Sequence, residues 1–250
     1  MTLFLVLVLS LAGFGGGVLI ALAGGGTFIT FPAIIFAGVP PISANASSAI
    51  ALYPGNLASA WAFRREVAGI TDISLRLYGA LSLAGSLCGA VLLLVTPSSI
   101  FRGMVPWLML FATVVFAAGN FMHFESLKNI RLGRRTSIVA MFLMAIYGGY
   151  FGAGLGFMML AIFTLIGMRD IMAMNGLKLV LAALMSTTSV VTYAVAGIVD
   201  WRMAVPVLGG ALAGGYIGAH WARRLHPTLL KVFIVVLAVG LTVFFFWHGA

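Results

Sequence analysis

Acid is scarce in this sequence: only five of its 250 residues are carboxylates, Glu66, Asp72, Glu125, Asp170 and Asp200. Each falls in a loop or at the end of an apolar segment, so no buried acid offers itself as a relay for a coupled proton or sodium ion. Cysteine is nearly absent too. The single thiol, Cys88, can form neither an internal disulfide nor a thiolate cage for zinc, and no metal or other cofactor is expected. The histidines, His123, His220, His226 and His248, all sit near segment ends. No Ser/His/Asp set or His/carboxylate cluster therefore arises at depth, which disfavours an embedded enzyme. Charged residues of both signs amount to 8%, against 62% hydrophobic, with a mean hydropathy of +1.16. That is too little polar surface to dissolve a globule, so the solvent of this chain is lipid.

What the sequence has in quantity is long apolar runs. Leu77 to Val95, Gly103 to Phe121, Ile171 to Ala196 and Leu229 to Trp247 can each cross about 30 Å of hydrocarbon as a helix. Residues 1–23 have the apolar run of a signal peptide but no Lys or Arg ahead of it, and the chain stays apolar afterwards. They read as a first membrane segment. Ten segments follow in all, at 3–22, 27–37, 42–62, 77–95, 103–121, 136–151, 156–167, 171–196, 203–221 and 229–247. The expected class is an all-α polytopic membrane protein, with the lipid bilayer as its first partner.

The net charge of +9 could point to nucleic acid, but the basic residues lie in short loops between apolar segments, where they report orientation instead. No nucleic-acid partner is expected. Assigning the loops to alternate faces puts Arg64, Arg65, Arg76, Lys128, Arg131, Arg134, Arg135, Arg169, Arg223, Arg224 and Lys231 on one face and only Arg102 and Arg202 on the other. Eleven against two makes the first face cytoplasmic. Both termini then lie outside, across a cell inner (plasma) membrane.

A shift of about 129 positions lays the second half of the chain on the first. Gly25 and Phe28 fall on Gly154 and Phe157, Gly38 on Gly167, and Ala44 on Ala173. Leu83, Ala84, Gly85, Gly89 and Ala90 fall on Leu212, Ala213, Gly214, Gly218 and Ala219; at one position less, Gly69, Ile70 and Asp72 fall on Gly197, Ile198 and Asp200. Residues 1–125 and 126–250 thus read as two copies of a unit of five segments. An odd number makes the second copy enter the membrane from the opposite side, the inverted-topology repeat of many secondary transporters.

The second segment of each unit is too short to span. Phe28 to Ala37 and Phe157 to Ile166 make about 15 Å of helix each, half the hydrocarbon thickness. Each follows a glycine cluster: Gly24, Gly25 and Gly26 in the first unit; Gly148, Gly149, Gly152, Gly154 and Gly156 in the second. Pro32 is expected to interrupt the first segment further. Broken segments at matching places point to a midplane site, where free helix-start N–H groups would face a bound anion. Alternatively, the glycines only let helices pack closely. The third segments carry the polar residues: Asn45, Ser47, Ser48, Asn56 and Ser59, then Asn175, Lys178, Ser186, Thr187, Thr188 and Ser189. Lys178 is the one formal charge well inside an apolar segment, a candidate site residue unless its stem snorkels the roughly 10 Å to the surface. Gly85 with Gly89, and Gly210 with Gly214 and Gly218, have the spacing of helix packing, with a homodimer as a secondary expectation.

The stretch Gly24-Gly25-Gly26-Thr27-Phe28 followed by Pro32, the run Ala44-Asn45-Ala46-Ser47-Ser48, and Gly152-Ala153-Gly154 with Ala173 to Lys178 resemble the sulfite exporter TauE/SafE family over nearly the whole chain. The resemblance implies a permease for sulfite, organosulfonates or other small organic anions. The chain departs from the family's pattern around Ser47 and Ser48, and again where Gly176 and Leu177 precede Lys178, which leaves the anion open. The substrate-binding candidates are Gly24, Gly25, Gly26, Asn45, Ser47, Ser48, Gly154, Asn175 and Lys178. The expected activity is secondary transport of a small anion by alternating access, with an anion channel as the alternative. Export needs no coupling ion, because a negative cytoplasm favours outward movement by about 2.3 kcal/mol per charge per 100 mV.

Overall fold

The structure, a computed structural model, describes residues 2–22, 25–64, 67, 74–121, 131–221 and 227–248. Every regular element among them is a helix: α1 (Leu3–Leu22), α2 (Thr27–Phe36), α3 (Pro41–Ala62), α4 (Leu75–Val95), α5 (Ser98–Phe121), α6 (Arg134–Tyr150), α7 (Leu155–Ile166), α8 (Ile171–Val195), α9 (Trp201–Trp221) and α10 (Pro227–His248). Local chemistry sets the boundaries. Pro41 opens α3 at the first helical position, where its missing N–H costs nothing. Asp170 caps α8, its Oδ1 accepting from the amides of Met172 at 2.8 Å and Ala173 at 3.3 Å. Asp200 caps α9 in the same way, from Arg202 at 3.0 Å and Met203 at 3.3 Å. Both carboxylates among the described residues are therefore engaged at helix starts. Glu66, Asp72 and Glu125 lie outside the described residues, as do Arg65, Lys128, Arg223, Arg224, His123, His226, Gly69 and Ile70.

Four of the described helices are long and apolar enough to cross a membrane: Leu3–Ile20, Leu75–Val95, Ser98–Ala118 and Met172–Val195. The helix α10, Pro227–His248, contains the expected Leu229 to Trp247. Pro32 corrects an expectation: it lies inside α2 without interrupting it, and the helix runs on to Phe36. Proline removes only one rung of the ladder, and a helix buried among neighbours, as Phe28, Phe31 and Ile34 are here, tolerates that loss.

The two short helices repeat each other bond for bond at the 129-residue shift. At their starts Phe28 N–H donates to Gly25 O and Phe157 N–H to Gly154 O, both at 3.1 Å. At their ends Val39 N–H reaches Ile34 O as Met168 N–H reaches Phe163 O, and Gly38 N–H reaches Ile35 O as Gly167 N–H reaches Thr164 O. This is the Schellman closure, and it needs a left-handed residue, which Gly38 (φ 89°) and Gly167 (φ 103°) supply. Packing follows the same exchange. The largest helix pairs are α1 with α9 and α4 with α6, so the first helix of each set of five lies along the fourth of the other. The pairs α4–α8 and α3–α9 correspond likewise, and Thr113 Oγ1 meets Thr242 Oγ1, its counterpart 129 positions on, at 3.1 Å.

Glycine makes the two largest pairs close. A Cβ on Gly85 would stand 2.8 Å from Phe142 O of α6, and Gly89 lies against Ile146 O; Gly210 and Gly214 of α9 lie against Ser10 O and Phe14 O of α1. The small-residue faces are thus filled by the chain's own helices. Two further spaces lie away from these helix contacts. Ser74, Arg134 and Ile166 surround one space at one end, whereas Val39, Pro40, Gly197, Asp200 and Arg202 surround another.

Candidate substrate-binding site

The starts of α2 and α7 meet. At about 15 Å and 18 Å the two helices reach only half-way through about 30 Å of hydrocarbon, and their first residues line one cavity of about 110 Å³. Gly26 and Thr27 come from the start of α2; Gly152, Leu155 and Gly156 come from the start of α7. α3 contributes Asn45, Ala49, Leu52 and Asn56, while α8 contributes Lys178, Leu179, Ala182, Met185, Ser186, Ser189 and Tyr193. Ile20, Gly148 and Phe151 complete the wall. Gly152 (φ 76°) and Gly154 (φ 72°) hold left-handed backbone just before α7, a turn that a side chain would strain.

The electrostatics of this cavity are positive. Each helix start carries about half a unit of positive charge from its aligned peptide dipoles, although the amides of Phe28, Ile29 and Thr30, and of Leu155 and Phe157, already donate to the glycine carbonyls just before them. Lys178 adds a full charge, and its stem crosses the first turn of α7: a Cβ on Gly156 would stand 3.3 Å from Lys178 Cδ. Its ammonium donates to Asn175 Oδ1 at 2.9 Å. Among the described residues no carboxylate pairs with it, because Asp170 and Asp200 are engaged as helix caps. A lysine held beside a helix N-terminus without an acid is a place where an anion lowers the energy.

Hydrogen bonds between α3 and α8 hold the walls. Asn56 Nδ2 donates to Ser186 Oγ at 3.1 Å, and Tyr53 OH lies 3.1 Å from Thr187 Oγ1. Asn45 Nδ2 donates to Tyr150 O at 3.0 Å, tying α3 to the end of α6. Ser189 Oγ shares Met185 O with Ser86 Oγ of α4, and Tyr193 OH donates to Gly149 O.

The family model described as sulfite exporter TauE/SafE matches residues 9–245. The chain belongs to that family. It is similar to a "Probable membrane transporter protein" of Haemophilus influenzae, 27% identical over 240 residues that cover 95% of this chain and 93% of the relative. It is likewise similar to the "Probable membrane transporter protein YfcA" of Escherichia coli K12, at 27% over 89% of this chain and 82% of the relative. A third relative, the "Probable membrane transporter protein ORF9" of a Sinorhizobium species, is 25% identical over 94% of this chain and 90% of its own length. No solved structure matches the chain. Family and helices together make this a multi-pass membrane transporter, with a small-molecule substrate and the bilayer as its partners.

Of the nine substrate-binding candidates in this TauE/SafE-family chain, Gly26, Asn45 and Lys178 line the cavity, and Asn175 touches it through Lys178. The rest sit behind the wall. A Cβ on Gly25 would stand 3.2 Å from the Phe116 ring, and Gly154 packs on Ala112 O while starting α7. Ser48 Oγ is 2.6 Å from Thr30 Oγ1 of α2, and Ser47 Oγ accepts the Asp200 amide at 2.9 Å. Gly24 lies outside the described residues. Ile20, Leu52, Phe151 and Tyr193 were not singled out. Only Tyr193 carried a signal, since a phenol inside an apolar helix needs a partner for its hydroxyl.

Proposed function

We propose that the protein is a secondary transporter that exports small anions, sulfite or organosulfonates foremost, across the inner membrane by alternating access. The observation that carries this reading is the convergence of two half-helix starts and Lys178 on one cavity with no acid among the described residues. At about 110 Å³ the cavity is well below the roughly 300–1,000 Å³ of sites for drug-sized ligands, which suits a compact oxyanion. The exchange of helix pairs between residues 1–125 and 126–250 supports an inverted pair of repeats, and the distribution of loop arginines and lysines favours both termini outside. Swapping the conformations of the two halves would turn the site from one face to the other.

Purified protein in liposomes should carry sulfite in a saturable way, with counterflow of label, and an imposed potential should drive the flux. Flux that ignores the potential and follows a proton gradient would sink the uniport; flux without counterflow would favour a channel. Lys178→Ala, checked for normal yield and monodispersity, should lose about ten- to a hundredfold in anion flux. That is the equivalent of the roughly 1.5–3 kcal/mol carried by a charge-assisted hydrogen bond. A variant that transports at the native rate would remove Lys178 from the site.

A further inference from the structure

Where α4 and α6 begin, the bundle holds a space of about 400 Å³ that the central site does not use. Ser74 and Tyr78 line it from the first helix, Arg134 and Ser137 from the second. The loop arginines and lysines favour this end as the cytoplasmic one. Its electrostatics are of one sign. Arg134 brings a full positive charge and makes no ion pair among the described residues. Ser74 and Gly133 stand at the two helix starts without a side-chain cap bond. The first backbone donations are from Tyr78 N–H to Ser74 O and from Ser137 N–H to Gly133 O, which leaves the amides of residues 75–77 and 134–136 free.

Tyr78 turns this positive corner into a site. It is only 7% exposed, it lines the space, and its hydroxyl lies within reach of the Arg134 charge. Among the described residues that hydroxyl has no hydrogen-bond partner; Ser137 Oγ donates to Gly133 O at 3.0 Å instead. Buried phenols ordinarily find a partner. An oxyanion would accept from the guanidinium, the phenol and the free amides together.

A row of hydroxyls runs inward from Tyr78. Ser82, one turn on, is fully buried, and its Oγ lacks a partner among the described residues. Ser86, a turn beyond, donates to Met185 O at 2.7 Å and lies 2.9 Å from Ser189 Oγ; Met185 and Ser189 line the central cavity. The methionine-rich cluster that holds Tyr78 at one end and Met185 at the other fills the way between the two spaces. A hydroxyl orphaned in such a plug is unfavourable while the plug is closed and favourable once water or an anion enters. We infer that the space at Tyr78 and Arg134 is a second oxyanion-binding site, an antechamber from which the Ser82 and Ser86 row leads to the central cavity when the methionines re-pack. The role of the row rests on the anion-transport reading above; the site itself does not.

The site is tested without flux. Ser74 is exposed, so Ser74→Cys, with Cys88→Ser removing the native thiol, can be modified in phosphatidylcholine nanodiscs by methanethiosulfonates bearing either a sulfonate or a trimethylammonium group. The sulfonate reagent should react faster, and inorganic sulfate should slow it in a saturable way. Arg134→Gln should weaken that protection about ten- to a hundredfold and Tyr78→Phe about two- to tenfold, whereas Lys178→Ala should leave it unchanged. Protection that survives Arg134→Gln or disappears in Lys178→Ala overturns the second site. Nanodiscs with phosphatidylglycerol separate the two sources of oxyanion: Arg134-dependent protection by that lipid alone keeps the site but overturns the antechamber. Protection by neither sulfate nor phosphatidylglycerol overturns both, with the transport reading untouched. Ser82→Ala tests the row, and should keep or raise the thermal midpoint yet slow sulfite flux in proteoliposomes a few fold. Flux at the native rate in that variant overturns the row. Absence of saturable sulfite flux in the native chain sinks the transport reading, whereas the sulfate protection stands or falls by its own measurement.

Discussion

α2 and α7 have matching ends and unlike surroundings. α2 is locked among aromatic rings, with Phe28 edge-on to Phe116 at 5.6 Å, Phe31 edge-on to Phe151 at 5.3 Å and Phe36 edge-on to Phe244 at 5.1 Å. A buried hydroxyl pair, Thr30 with Ser48 at 2.6 Å, ties it to α3. Among the described residues α7 has one such ring contact, Phe157 edge-on to Phe116 at 4.8 Å, and otherwise buries Met159 in a cluster with Met141, Met144, Met174 and Met185. Thioether side chains re-pack at little cost, whereas edge-to-face rings have preferred geometry. The two halves thus share a backbone device but differ in stiffness, and the cavity's charge, Lys178, belongs to the softer side. On that contrast α2 is expected to be the fixed wall of the site and α7 the wall able to move against it.

Three substitutions probe that difference. The largest effect belongs to Phe31→Ala, which empties a fully buried ring position against Phe151 and Phe245; it should cost about 3–5 kcal/mol in thermal or denaturant unfolding. A cost below about 1 kcal/mol would mean that α2 is as adaptable as α7. Next comes Thr30→Val. It leaves the hydroxyl of Ser48, buried at 0% exposure, without its 2.6 Å partner and should cost about 1–3 kcal/mol. Adding Ser48→Ala should recover part of that loss, because removing both members of a buried pair is milder than orphaning one. If the double variant is less stable than the single, the pair is not the lock between α2 and α3.

The helices were legible in the sequence because apolar runs, glycine and proline mark their limits, and the short pair was legible because Gly38 and Gly167 recur at the repeat distance. Facing was not. Asn45, Ser47 and Ser48 are neighbours on α3, yet the first lines the cavity, the second meets the start of α9 and the third meets α2. In a soluble helix the polar stripe would have told them apart, but here lipid and core are both apolar and hydrophobicity marks no direction. Gly25 and Gly26 are alike in sequence and both are tightly packed, the first on the Phe116 ring and the second on Gly16 O and Ile20, yet only Gly26 also lines the cavity. Pro32 was misread for a related reason: a breaker in water is tolerated where neighbouring helices enclose the backbone.

Met159→Leu is the mildest of the three and the most direct on α7. Met159 is fully buried among methionines, so a side chain of similar volume should re-pack at a cost under about 1.5 kcal/mol. The informative readout is transport. Leucine is branched and has fewer rotatable bonds, so it fixes one packing where methionine allows several. If the methionine cluster lets α7 shift during the cycle, Met159→Leu should slow sulfite turnover by a few fold while binding holds. An equally conservative exchange on the aromatic side, Phe28→Leu, should lower stability more than turnover. Turnover unchanged in Met159→Leu but slowed in Phe28→Leu would reverse the assignment of fixed and moving walls.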